Sequence, residues 1–126
     1  SLRELMPMDV QDDGFRHIGQ CASLEALWCM YCRDTTDAAT EHIRGARLKT
    51  YYAGKTQITD RSLAILAAMD SLERLTFWET QHLTDAGVRR LARLPHLREL
   101  SLEGLPHVTA NVLPEFPVDV QVIYAP

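Results

Sequence analysis

The chain has 126 residues, a 46% apolar fraction and a formal net charge of −4. That length and apolar content suit a single domain, residues 1–126, with one continuous core. No apolar run is long enough to cross a bilayer, so membrane insertion is not expected. The excess of 17 Asp and Glu over 13 Lys and Arg argues against a nucleic-acid scaffold, which needs a local surplus of cations against phosphates.

In chain order, Leu2, Leu5 and Met6 read as the end of a partial unit over residues 1–9. Asp12-Asp13-Gly14-Phe15 then opens a unit over residues 10–34, in which Ile18, Cys21, Leu24, Leu27 and Cys29 recur. Thr36-Asp37 leads to Thr40, Ile43, Ala46, Leu48, Tyr51 and Ala53 (residues 35–57), with one residue missing before the strand and one after it. Ile58-Thr59-Asp60 leads to Leu63, Leu66, Met69, Leu72, Leu75 and Phe77 (58–82). Leu83-Thr84-Asp85 leads to Val88, Leu91, Leu94, Leu97, Leu100 and Leu102 (83–107), agreeing with the previous unit position for position. Val108-Thr109-Ala110 opens a degraded unit, 108–126, that closes with Val118, Val120 and Val122.

Each unit divides at a change of period. The spacing of three in Leu63, Leu66 and Met69 marks a helix with one buried stripe, and the alternation of Leu75 and Phe77 marks a short strand. Strand and helix alternating at a period in the twenties predict an α/β fold whose layers bury their apolar sides only by stacking on one another. The Thr-Asp pair before each helix is expected to cap it: the side-chain oxygens meet free N–H groups, and the carboxylate sits at the positive end of the helix dipole.

The pattern Leu-x-x-Leu-x-Leu-x-x-(Cys or Thr), followed by Ile/Leu-Thr-Asp-x-Gly/Ser-Leu/Val, runs from Leu72 through Val88. It resembles the cysteine-containing class of leucine-rich repeats found in F-box-like proteins, over nearly the whole chain. The resemblance implies a short solenoid with parallel strands on its concave face and helices on its convex face. The consensus cysteine after the strand stands at Cys32, while the matching sites hold Thr56, Thr80 and Leu105. These residues contain no F-box, so a role as a ubiquitin-ligase substrate receptor is not implied. The segments Leu27-Trp28-Cys29-Met30-Tyr31-Cys32 and Leu100-Ser101-Leu102-Glu103-Gly104-Leu105-Pro106 are also similar to the ATP synthase coupling factor B family. That likeness would imply an assembly or coupling factor of a multisubunit complex.

Successive strand side chains face opposite ways, so the residues between the inward positions define the exposed face. Trp28, Tyr52, Thr76 and Ser101 are expected to form one row. Met30, Gly54, Trp78 and Glu103 form the next, and Ala26, Thr50, Arg74 and Glu99 the one before. Strands lie about 5 Å apart, so Trp28, Met30, Tyr52 and Trp78 should meet, with Arg74, Arg98, Glu99 and Glu103 as a charged margin. Tyr31 and Glu79 would extend the patch, and Gly54 would leave a dip between the tryptophans. Large rings ringed by polar groups are what protein interfaces use. The expected role is therefore a non-catalytic module binding a protein partner on the concave strand face through Trp28, Met30, Tyr52, Thr76, Trp78, Ser101, Arg74, Glu99 and Glu103.

Cys29-Met30-Tyr31-Cys32 has metal-ligand spacing, with Cys21 and His17 nearby, and a metal- or redox-dependent protein is the alternative it raises. A zinc site needs four converging ligands, whereas the repeat places Cys21, Cys29 and Cys32 in inward slots as small apolar residues. No metal, cofactor or catalytic residue is therefore expected. His17, His42, His82, His96 and His107 belong to no catalytic motif, and no Gly-rich phosphate loop, Gly-x-Ser-x-Gly or His-Glu-x-x-His occurs. An odd cysteine count favours a reducing, intracellular and cytoplasmic setting. Arg89, Arg90 and Arg93 read as a solvated helix face.

Overall fold

The computed structural model describes residues 3–7, 11–30 and 32–126. Six strands, β1 (Glu4–Leu5), β2 (Ala26–Met30), β3 (Thr50–Gly54), β4 (Arg74–Trp78), β5 (Glu99–Glu103) and β6 (Gln121–Ala125), form one sheet in sequential order, every neighbouring pair parallel. Between them run α1 (Asp12–Gly19), α2 (Asp37–Ile43), α3 (Asp60–Leu66) and α4 (Asp85–Arg90). A 3₁₀ turn at Leu91–Arg93 extends α4, and a second, Ala110–Glu115, replaces the last helix. Crossovers of one hand between strands in sequential order bring every helix to the same face of the sheet.

Alternation decides which side chains that helical layer covers. Leu27, Tyr51, Leu75 and Leu100 pair in one buried row, continued by the partly buried Val122, and Cys29, Ala53, Phe77 and Leu102 form the next, continued by Tyr124. Phe15, Ile43, Leu63, Leu66, Val88, Leu91 and Val112 close the core from the opposite side. Tyr51 packs on Phe77 with ring centroids 6.4 Å apart, supplying volume beside the small Ala53. In the last unit the slot opposite Leu102 belongs to Tyr124, whose hydroxyl donates to the Val108 carbonyl at 3.1 Å. Val118, expected among the inward residues there, is fully exposed, because the chain turns at Pro117–Asp119 before the strand begins.

The Thr-Asp pairs do more than cap. Thr36, Thr59 and Thr109 accept from the N–H two residues on, as caps do. Each aspartate instead reaches to the threonine of the next unit, accepting from its N–H and its hydroxyl. Asp12 binds Thr36 at 2.8 and 2.6 Å, Asp37 binds Thr59 at 2.8 and 2.6 Å, and Asp85 binds Thr109 at 2.7 and 2.6 Å. Asp60 holds Thr84 in the same way, with the backbone bond at 2.9 Å. The repeated pair is thus a staple from each layer to the one after it. A Cβ on Gly87 would lie 2.2 Å from Asp60 Oδ1, so the absence of a side chain there leaves room for the carboxylate.

Candidate functional site

The face of the sheet turned away from the helices carries the residues singled out from the sequence, and the pairing sets them in the expected rows. Trp28 pairs with Tyr52, Tyr52 with Thr76 and Thr76 with Ser101. Met30, Gly54, Trp78 and Glu103 form the next row, and Ala26, Thr50, Arg74 and Glu99 the preceding one. Trp28 and Tyr52 stack obliquely, with centroids 5.9 Å apart and an interplanar angle of 35°. Arg74 Nε lies 3.8 Å from Glu99, forming part of the charged margin. Leu2 and Tyr31 lie outside the described residues.

Two features of this face depart from expectation. Gly54 does not leave an open dip. It is buried, and a Cβ there would meet the rings of Trp78 and Tyr52, each at 3.0 Å. The glycine lets rings from two strands lean together over the backbone, so Trp28, Tyr52 and Trp78 are partly covered by one another's surroundings. Ala26, placed on the outward face, is buried as well. The pattern also missed two apolar residues: Ile123 pairs with Ser101 and is 44% exposed, and Met6, one residue past Leu5 in β1, is 56% exposed. Met6 lies just past the end of β1, after the Leu5–Leu27 pair. Both lie in the irregular end units, where the repeat pattern is weakest.

At the carboxyl ends of the strands the ladder continues one residue further: the N–H groups of Lys55, Glu79 and Gly104 donate to Trp78, Glu103 and Ala125. All three residues have positive φ, 56°, 47° and 66° respectively. Lys55 Nζ lies 5.2 Å from the centre of a Trp78 ring and 3.5 Å from Glu79. Beside them is a depression of about 420 Å³, lined among others by Arg33, Thr56, Gln57 and Gln81.

At the opposite ends of the strands, Arg3, Glu25, Lys49, Glu73 and Arg98 occupy equivalent positions, and their charges alternate. Glu25 lies 3.9 Å from Arg3 and 3.2 Å from Lys49, and Glu73 lies 3.9 Å from Arg98. These largely exposed pairs neutralise one another across neighbouring layers.

Of the three cysteines expected inward, Cys29 and Cys32 are core residues and Cys21 is half-buried at its edge. Cys29 and Cys32 are buried, and Cys32 donates to the Pro7 carbonyl at 3.4 Å, tying the first segment down. Burial pushes the Cys29 thiol far above its ordinary range, with Cys32 adding a smaller push. Among the described residues no three His, Cys, Asp or Glu side chains converge as metal ligands, and no helix is long and apolar enough to cross a membrane. His96 and His107 are exposed in turns, and His82, also exposed, forms an isolated parallel bridge with Thr59. Comparison with models of known protein families gives no match, and comparison with curated protein sequences gives none.

Proposed function

We propose that the chain is a short leucine-rich repeat solenoid of the cysteine-containing kind that acts as a non-catalytic, intracellular module docking a protein partner on its strand face. The observation that carries this reading is the aromatic group Trp28, Tyr52 and Trp78, which lies on the side of the sheet that, among the described residues, no helix covers. The interior needs none of these rings, because Leu27, Cys29, Tyr51, Leu75 and Phe77 already fill it. Ile123, paired with Ser101, lengthens the outward row, and Arg74, Glu99 and Glu103 give it a polar margin. That composition, rigid rings inside a charged rim, is how protein interfaces concentrate binding energy.

The test replaces Trp28, Tyr52 and Trp78 singly with Ala. A partner captured by the unmodified chain should bind each variant about 1–4 kcal/mol more weakly, the range for aromatic anchors, while the thermal transition moves by only a few degrees. Unchanged capture together with lost stability would reduce the rings to packing residues and end the proposal.

A further inference from the structure

We propose that the depression at the carboxyl ends of β2 to β5 receives an acidic side chain, Asp or Glu, of an extended peptide partner whose apolar residues lie on the aromatic row. The inference rests on the reading of the strand face as a protein-binding surface and extends it to one ligand group. Three observations meet at this depression.

The first is backbone strain kept for the sake of side chains. Lys55 and Glu79 occupy a slot where φ is 56° and 47°, a region that L-residues adopt at a cost of roughly 1 kcal/mol or more. The equivalent position in the next unit is Gly104, at φ 66°. Glycine meets the geometric requirement without strain, so the lysine and glutamate serve something other than the turn. The second is charge. Arg33 and Lys55 bring two cations to the depression and Glu79 one anion, leaving a positive balance on a chain whose total is −4. Gln57 and Gln81 add amide donors on its wall. The third is Thr56, a buried lining residue whose hydroxyl is, among the described residues, without a hydrogen-bond partner. Its counterpart Thr80 donates to the Trp78 carbonyl at 3.3 Å.

Continuity with the aromatic group settles the kind of occupant. Lys55 sits over Trp78 while pairing with Glu79, so one cation touches both surfaces. A peptide running over Trp28, Tyr52 and Trp78 would bring a carboxylate to Lys55 and Arg33, where charge-assisted hydrogen bonds are strong and directional.

A random library of displayed linear peptides, panned on the folded chain, tests this. Selected peptides should share an Asp or Glu, and changing that residue to Asn or Gln should weaken binding to the unmodified chain about tenfold, as expected for loss of a hydrogen-bonded charge. An R33M/K55M double variant should lose the same factor, should show no further loss with the amide peptide, and should bind with less sensitivity to salt. Peptides that depend on Trp28 and Trp78 yet lack an acid, or bind the double variant equally well, would overturn this inference and leave the strand-face reading intact. Peptides insensitive to W28A and W78A, or no selected peptides at all, would overturn both.

Discussion

Lys55 and Glu79 show what a single residue can reveal when its backbone disagrees with its chemistry. Replacing Glu79 with Gly relieves a positive φ and loses only an exposed ion pair, so its stability should stay level or rise by up to about 1 kcal/mol. Replacing Thr76 with Gly, in extended backbone of β4, should cost about 1 kcal/mol; chemical denaturation of the two variants provides the comparison. Cys29 and Cys32 are residues of the opposite kind, quiet because they are enclosed, whereas Cys21 is only half-buried. Titration of the folded protein with an aromatic disulfide should modify Cys21 first and reach Cys29 and Cys32 only on unfolding. Rapid reaction of all three thiols in the native state would reopen a redox reading.

At the scale of the element, the aspartate that begins each helix ties it to the next layer. Burial pushes the Asp37 carboxyl up, but hydrogen bonds from Ser62 and Thr59 outweigh this and hold it below its ordinary value. The side-chain and backbone bonds from Thr109 hold Asp85 down in the same way. Folded values below unfolded ones mean that the unfolded chain binds more protons, so stability from these groups is present above about pH 4 and lost as the pH falls through the folded values. A D37N/D85N variant should therefore be less stable at neutral pH and lose less on acidification, as read by denaturation between about pH 6 and 3. An unchanged acid slope would remove the staples from the account. A second link crosses α2, α3 and β3. Ser62 donates to Asp37 at 2.5 Å and lies 2.7 Å from the Thr40 hydroxyl, which in turn bonds the fully buried Tyr51. Thr40, Tyr51 and Ser62 replace residues such as Leu63, Leu75 and Gly87 of the next unit, and each provides a partner for another.

Across the whole molecule, neighbouring layers are held by the sheet ladder, the staples and the row Arg3, Glu25, Lys49, Glu73 and Arg98. Reversing one charge with K49E would set three acids side by side. It should cost about 1 kcal/mol at low salt and recover most of that at 1 M salt, because exposed charges are screened. A cost independent of salt would point to lost packing of the lysine stem instead.

The rows on both faces of the sheet were legible because one repeated spacing, with side chains alternating every second residue, admits one register; Trp28, Tyr52, Thr76 and Ser101 needed nothing more. The inward course of Cys29 and Cys32 followed from the same count. What spacing cannot encode is where a side chain goes once neighbouring layers close on it. Contacts between layers turned Asp37, Asp60 and Asp85 from local caps into bonds between units and gave Asp12 the same role, since their partners lie a full repeat away. The tertiary structure also filled the space over Gly54 with two rings, set Ile123 beside Ser101 on the outward face, and put Lys55 and Glu79 where φ is positive. In the regular units the spacing alone decided the order of the rows and the face of each strand residue, because apolar burial at a fixed period is a one-dimensional constraint; the course of the degraded last unit, the joints between layers and the shape of the exposed face depended on contacts in three dimensions.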